Sequence, residues 1–156
     1  MKTFLFALFA LFLIVPVSAC RAEEAGVPTE ELIIMSKNGK HKFDVEVAVT
    51  PQQLTQGLMF RSSMPEDHGM LFLFGMPEER NFWMKNTLIP LDIIYISPQG
   101  TINHIHENAV PHDETPLPSK GPTMHVLELN GGLTAKLGIK PGDAVYHGSF
   151  GNSLAQ

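Results

Sequence analysis

The sequence predicts a mainly β (α+β) protein, folded as a compact, barrel-like domain of about eight short strands and two short helices. Three observations lead to this prediction. Apolar residues alternate with polar residues over short segments, as they do in half-buried strands. Glycine and proline, at 13 and 12 of the 156 residues, separate many of these segments and mark turns. Only two segments carry helix signals, and both are short.

The domain begins with a predicted β-hairpin. The segments ELIIMS and HKFDVEVAV flank Lys37-Asn38-Gly39-Lys40, whose Asn-Gly dipeptide is typical of tight hairpin turns. In the second segment apolar residues occupy every other position from Phe43 to Val49, which predicts one buried face. A short helix is expected next, because Thr50 and Gln53 have the spacing of a capping box.

The rest of the chain is predicted to consist mainly of strands. The segment MLFLF is apolar throughout, as in a strand that is covered on both sides. Further strands are expected at residues 82–87, 91–97, 101–107 and 123–130, and after a turn at Pro141-Gly142. The four prolines between Val110 and Pro122 predict a loop. The segment GGLTAKLG predicts a second helix, closed by Gly138.

The first residues predict export. Lys2 provides a positive charge, and the apolar run from Phe4 to Val15, 12 residues long, is too short to cross roughly 30 Å of hydrocarbon. Residues 1–19 are therefore interpreted as a signal peptide, 20–30 as a tether, 31–150 as the single domain and 151–156 as a C-terminal tail. Cys20 is the only cysteine and stands where a lipobox requires the lipidated residue. An extracytoplasmic protein is expected, either a membrane-anchored lipoprotein or a periplasmic protein after simple cleavage.

The charge of the chain limits its partners. The formal net charge is −5 and the basic residues are not clustered, so neither nucleic acid nor an anionic surface is expected to attract the protein. Membrane contact is expected only through the N-terminal anchor, and the protein is predicted to be a monomer. A single cysteine cannot build a disulfide framework, so the core alone must hold the fold. No cofactor is predicted.

Four segments carry a family resemblance: GLMFRSSMPEDHGMLFLF, FWMKNTLIPLDIIYI, VLELNGG and LGIKPGDAV. Together, and in this order, they are similar to the bacterial and archaeal domain-of-unknown-function 192 family over roughly residues 32–148. The resemblance implies a compact, largely β fold that is often exported behind a signal peptide or a lipobox. It implies no activity.

The segment RNFWMKNTLIPLDIIYI carries the best candidate for a binding site. If its first part is extended, Trp83 and Lys85 share one face and Asn86 lies on the other. Asp92 would be a carboxylate on an apolar face, where it needs a partner, and Arg61 and Lys85 are the candidates. These five residues could line a pocket for a sugar, a peptide or a small anion, with the proline-rich loop as a lid. Alternatively, they form a polar cluster that fixes strand register.

The protein is therefore expected to be a binding module for an envelope ligand or partner rather than an enzyme, with two alternatives. A hydrolase or lyase of cell-envelope carbohydrate would use Asp92 as acid or base, paired with Glu128 or Asp143. A metal-binding protein would use His104 and His106, which lie two apart on a predicted strand, together with a third ligand. The sequence contains no nucleophile elbow, phosphate-binding loop or close metal-ligand spacing.

Overall fold

The computed structural model describes residues 27–152, and the predicted mainly β, barrel-like fold is confirmed there. The elements in this range are β1 (Thr29–Ser36), β2 (Gly39–Ala48), α1 (Pro51–Gln56), β3 (His68–Phe82), β4 (Leu91–Ile96), β5 (Ile102–Ala109), β6 (Leu117–Asn130), α2 (Leu133–Leu137), β7 (Ala144–Tyr146) and a 3-10 helix at Gly148–Phe150. No helix among these residues is long and apolar enough to span a membrane. The predicted signal peptide and Cys20 lie outside the described residues.

The seven strands of this range form one sheet in the order β5-β4-β6-β3-β2-β1-β7. Neighbouring strands are antiparallel except β2 and β3, which are parallel and are connected through α1. The sheet curls into a half-barrel, and its two edges meet where Thr101, just before β5, forms a bridge with Ala144 of β7. This closure leaves less open sheet edge for another chain to pair with.

Each face of the sheet carries its own apolar core. The first core packs against α2 and includes Leu32, Ile34, Phe43, Leu71, Ile94, Leu127 and Leu133. The second core lies under α1 and the loops that follow β2 and β3, and includes Leu58, Met70, Phe72, Met84, Ile93, Tyr95 and Val126. All six residues of β4 are buried, because successive side chains enter the two cores in turn.

Three predictions that depend on residues close together in the chain are confirmed: the first hairpin, the start of α1 and the end of α2. β1 and β2 form the predicted hairpin, in which Lys37 and Asn38 make the turn and Gly39, at a φ of 124°, is the first residue of β2. At α1, the Thr50 hydroxyl accepts the Gln53 N–H and the Gln53 side chain accepts the Thr50 N–H, so the capping box is complete. The second helix ends at Gly138, whose φ of 69° is the left-handed conformation that glycine adopts readily.

The predicted strand at residues 82–87 is wrong. β3 ends at Phe82 and the chain then turns, with Asn86 at a φ of 54°. The N–H of Met84 donates to the Asp113 carbonyl instead of joining a strand ladder, and the N–H of Thr87 donates back to the Met84 carbonyl. The prediction that alternate residues of this segment share a face therefore fails with it.

β1 begins at Thr29, shortly before the predicted start of the domain at residue 31.

The predicted proline-rich loop is too long. β6 already starts at Leu117, and Pro118 and Pro122 pair with residues of the extended end of β3. Proline is compatible with an extended backbone but cannot donate to the ladder, and the pairing here is irregular, with a register shift between Glu79 and Asn81. Only residues 110–116 remain a connection, so the predicted lid loses its second half.

Candidate functional site

Asp92 is a structural residue that is fully buried in β4. Its Oδ1 accepts the N–H groups of Asn108 and Gly132, each at 2.8 Å. Its Oδ2 accepts the N–H of Thr134 at 2.8 Å and the Thr134 hydroxyl at 2.7 Å. The carboxylate thus joins β4, the end of β5 and the first turn of α2. The expected ion pairs with Arg61 and Lys85 do not form, and Asp92 has no access to a ligand in this structure.

The structure separates the other four predicted site residues. Arg61 forms an ion pair with Glu46 and lies beside α1. Trp83 is about half exposed, and the Lys85 ammonium lies 5.3 Å from the centre of its ring. Asn86 connects the two places, because its carbonyl accepts the Phe60 N–H at 2.9 Å. A role of these four residues in ligand binding stays a prediction.

The geometry does not support the catalytic pairs proposed for Asp92. In the β4–β6 ladder Asp92 is opposite Leu129, so its side chain and that of Glu128 are on opposite faces of the sheet. The Asp143 carboxylate accepts the Lys140 N–H within its own turn. Because Asp92 already accepts four hydrogen bonds and is buried, it is not placed to act as an acid or base on a substrate.

The histidines give no support to the metal-binding alternative. The ring of His104 stacks on Tyr95, with 5.9 Å between the ring centres. In the part of the chain that the structure describes, no three side chains of His, Cys, Asp or Glu converge in a way that could hold a metal ion.

A cavity of about 220 Å³ lies between α1 and the face of β2 and β3 that carries the second core. We call it the α1 pocket, and the residues of its lining that matter below are Glu46, Gln52, Gln56, Gly57, Arg61 and Met70. Two larger depressions, of about 580 and 610 Å³, are shallow and open to solvent. In the first of them the ion pair of Lys136 and Glu66 is exposed, as in an ordinary solvated surface.

A bidentate ion pair forms the polar wall of the α1 pocket. The two terminal nitrogens of Arg61 donate to the two carboxylate oxygens of Glu46, with 2.6 Å between Nη2 and Oε2. The Glu46 side chain is 14% exposed and that of Arg61 is 32% exposed, so the pair is partly shielded from water. The hydrogen bond that Arg61 donates to Glu46 raises the pKa of Arg61 further above its ordinary value. This pairing fixes charged donors and acceptors in one orientation.

A second carboxyl group, that of Glu128, lies next to two residues of the pocket lining, Gly57 and Met70. One row of paired residues crosses four adjacent strands, with Glu46 on β2, Met70 on β3, Glu128 on β6 and Ile93 on β4. Directly paired residues have their side chains on the same face of the sheet, so all four lie on one face. Glu128 is only 5% exposed. Burial raises its pKa to about 8, so the carboxyl group is uncharged at pH 7. Within residues 27–152 it has no hydrogen bond or ion pair that would offset this burial.

Gly57 leaves space above Glu128. Its φ of 48° is in the left-handed region, and a Cβ at this position would lie 3.1 Å from the Phe72 ring and 3.9 Å from Oε2 of Glu128. A larger residue would therefore crowd the Phe72 ring and narrow the space between the pocket and the carboxyl group.

Sequence reasoning did not single out Glu46 and Glu128 as a pair. Glu46 lies in an alternating strand, where an acidic residue usually faces water. Glu128 does carry a signal, since it interrupts the apolar run Val126-Leu127-Glu128-Leu129 in a strand that is covered on both sides. The sequence does not show that both residues lie under the same helix.

Known proteins resemble the chain over most of its length. A protein of unknown function from Novosphingobium aromaticivorans DSM 12444 has a crystal structure that matches with a TM-score of 0.77 and 46% identity, covering 80% of this chain and 89% of that one. A protein from Sinorhizobium meliloti 1021, described as a "putative transcription regulator", matches with a TM-score of 0.73 and 48% identity, covering 75% of this chain and 92% of that one. No curated protein matches the chain. The sequence model of the family DUF192, "Uncharacterized ACR", matches residues 33–147, and the chain therefore belongs to the domain-of-unknown-function 192 family.

Proposed function

We propose that this protein binds a small, uncharged, oxygen-rich ligand in the α1 pocket, with a single sugar unit as the representative class. The observation that carries this proposal is the shielded Arg61–Glu46 pair in the wall of a part-enclosed cavity. The pair and the amides of Gln52 and Gln56 offer both donors and acceptors, which hydroxyl and carbonyl groups require. Pockets for drug-sized ligands measure about 300–1,000 Å³, so this smaller cavity suits a small molecule or one unit of a chain.

The charges of the pocket favour an uncharged ligand. Arg61 and Glu46 neutralise each other, and Glu128 is uncharged at pH 7. An anion would have to displace Glu46 from Arg61, and a cation would have to displace Arg61 from Glu46. Either exchange would leave a partly buried charge without its partner, which is strongly unfavourable.

This proposal keeps part of the site expected from the sequence. Arg61 lines the pocket, while Trp83, Lys85 and Asn86 belong to the neighbouring loops and are proposed as contacts for a longer ligand. A net charge of −5 with no basic cluster gives little electrostatic attraction to nucleic acid.

The location of the protein is part of the same proposal. Residues 1–20 support export by a signal peptide and lipidation of Cys20. The mass of the mature N-terminal peptide distinguishes a lipid-modified Cys20 from an unmodified one. An inhibitor of the lipoprotein signal peptidase should cause the unprocessed precursor to accumulate, and unchanged processing would contradict lipidation.

Ligand-observed NMR and calorimetry with glucose, galactose and N-acetylglucosamine test the binding proposal. Arg61→Ala should weaken binding of the preferred sugar at least tenfold, because it removes the donors and leaves Glu46 unpaired. Lys42→Ala is the matched control, since Lys42 of β2 forms an exposed ion pair with Glu31 of β1, outside the α1 pocket. Binding of inorganic phosphate without binding of any of the sugars would refute the uncharged-ligand proposal.

A further inference from the structure

We propose that Glu128, which lies next to Gly57 and Met70 of the α1 pocket lining, recognises the ligand by donating a hydrogen bond from its carboxylic acid hydroxyl to a ligand oxygen. This inference rests on the proposed function and specifies its chemistry. It makes ligand binding dependent on the protonation of a single buried side chain.

The position of Glu128 follows from strand pairing. Met70 lines the pocket, and Glu128 is its direct partner on the neighbouring strand β6. Glu46 is the partner of Met70 on the other side, so the two glutamates flank Met70 with their Cα atoms roughly 10 Å apart, two strand spacings. Oε2 of Glu128 lies beneath Gly57, which also lines the pocket and has no side chain to cover it.

The surroundings of Glu128 provide no partner in the described part of the chain. β3 contributes Met70 and Phe72, and β4 contributes Ile93 and Tyr95. The Tyr95 hydroxyl already donates to the Leu117 carbonyl at 2.5 Å.

The charged residues of the pocket lining are Arg61 and Glu46, and they are paired with each other. An uncharged carboxylic acid is a hydrogen-bond donor, and residues 27–152 provide no acceptor for the Glu128 hydroxyl. A ligand oxygen in the pocket would supply the missing acceptor.

A comparison with Asp92 shows that the fold can satisfy a buried carboxyl group. Asp92 is on the other face of the same sheet and accepts four hydrogen bonds from three residues. Glu128, almost equally buried, has none within residues 27–152. The unused donor therefore points to a ligand group rather than to a structural link.

Two variants separate hydrogen bonding from charge. Glu128→Gln keeps a donor of the same size but cannot ionise, whereas Glu128→Leu has a similar volume and no donor. Binding of glucose, galactose and N-acetylglucosamine is measured by calorimetry from pH 5.5 to 9.5. Wild-type affinity should be constant at low pH and should fall about tenfold for each pH unit above about 8. Glu128→Gln should bind with no such fall, and Glu128→Leu should bind at least tenfold more weakly at pH 6.

A ligand-free experiment tests Glu128 independently of the choice of sugar. A water-soluble carbodiimide with glycinamide, applied at pH 6, should modify Glu128 through the pocket and leave Asp92 unmodified, as shown by peptide masses. If a sugar binds but its affinity does not change between pH 7 and 9.5, Glu128 is not the donor, while the proposed function stands. If no sugar binds, the proposed ligand class is wrong. If Glu128 is not modified while exposed carboxylates are, the carboxyl group is not open to the pocket and the inference is overturned.

Discussion

Replacement of Glu128 by glutamine should stabilise the protein, and the gain should depend on pH. The pKa of Glu128 is raised from 4.5 to about 8 in the folded state by burial. A group whose folded-state pKa is raised binds its proton more tightly in the folded protein than in the unfolded chain. Its contribution to stability is therefore complete below about pH 4.5 and is lost as the pH rises towards 8. Glutamine cannot ionise and avoids this loss.

The size of the effect follows from the two pKa values. One pKa unit corresponds to 1.36 kcal/mol, so the full difference between 4.5 and about 8 is worth about 5 kcal/mol. The unfolding free energy of Glu128→Gln should exceed that of the wild type by about 3 kcal/mol at pH 7 and about 5 kcal/mol above pH 8.5. At pH 4 the two proteins should be nearly equal, because both side chains are then uncharged.

Urea unfolding of both proteins at pH 4, 7 and 8.5 provides the measurement. The other titrating groups are the same in the two chains, so their effects cancel in the difference. Glu114→Gln is a suitable control, because the Glu114 side chain is 60% exposed and its removal should change stability little at any pH. A difference between wild type and Glu128→Gln that is the same at all three pH values would refute the argument, since it would mean that Glu128 is not held uncharged by burial.

Two further predictions concern other buried polar groups. Asp92→Ala should lower the unfolding free energy by about 4 kcal/mol, because four hydrogen bonds of about 1 kcal/mol each are lost. Denaturant unfolding measures this difference, and a loss below about 1 kcal/mol would contradict the structural role of Asp92. Burial lowers the pKa of His125 from 6.5 to about 4, so its contribution to stability is lost as the pH falls through this range. The stability of His125→Gln relative to wild type should therefore increase between pH 6.5 and 4, and a constant difference in thermal melts would exclude the effect.

The sequence predicts best the features that neighbouring residues determine. The Asn38-Gly39 hairpin, the Thr50–Gln53 capping box and the Gly138 helix end each depend on residues close together in the chain. The failures involve distant partners. The residues after Phe82 turn because Met84 bonds to Asp113, and the strand from Leu117 exists because the long end of β3 is available to pair with it. Neither partner is evident from the local pattern.

The candidate site was predictable in its chemistry but not in its pairing. The buried carboxylate of Asp92 does have the partners that its apolar strand requires, but they are mostly backbone N–H groups rather than Arg61 or Lys85. Side-chain charges can be seen in a sequence, whereas the backbone groups that a fold brings together cannot. Arg61 was identified as a polar site residue, but its partner Glu46 has the pattern of an ordinary solvent-facing strand residue.

The two buried carboxyl groups lead to different conclusions about why each residue is present. Asp92 joins three elements of the fold, so its removal should weaken the protein, and the structure alone explains it. Glu128 joins nothing in the described residues and should make the protein less stable at neutral pH than glutamine would. Proteins commonly retain such unfavourable groups where activity requires them. Glu128→Gln is expected to be more stable than the wild type and to bind the ligand without the fall in affinity above about pH 8. That result would show that Glu128 lowers stability but serves ligand binding, and it would identify the α1 pocket as the site at which this protein functions.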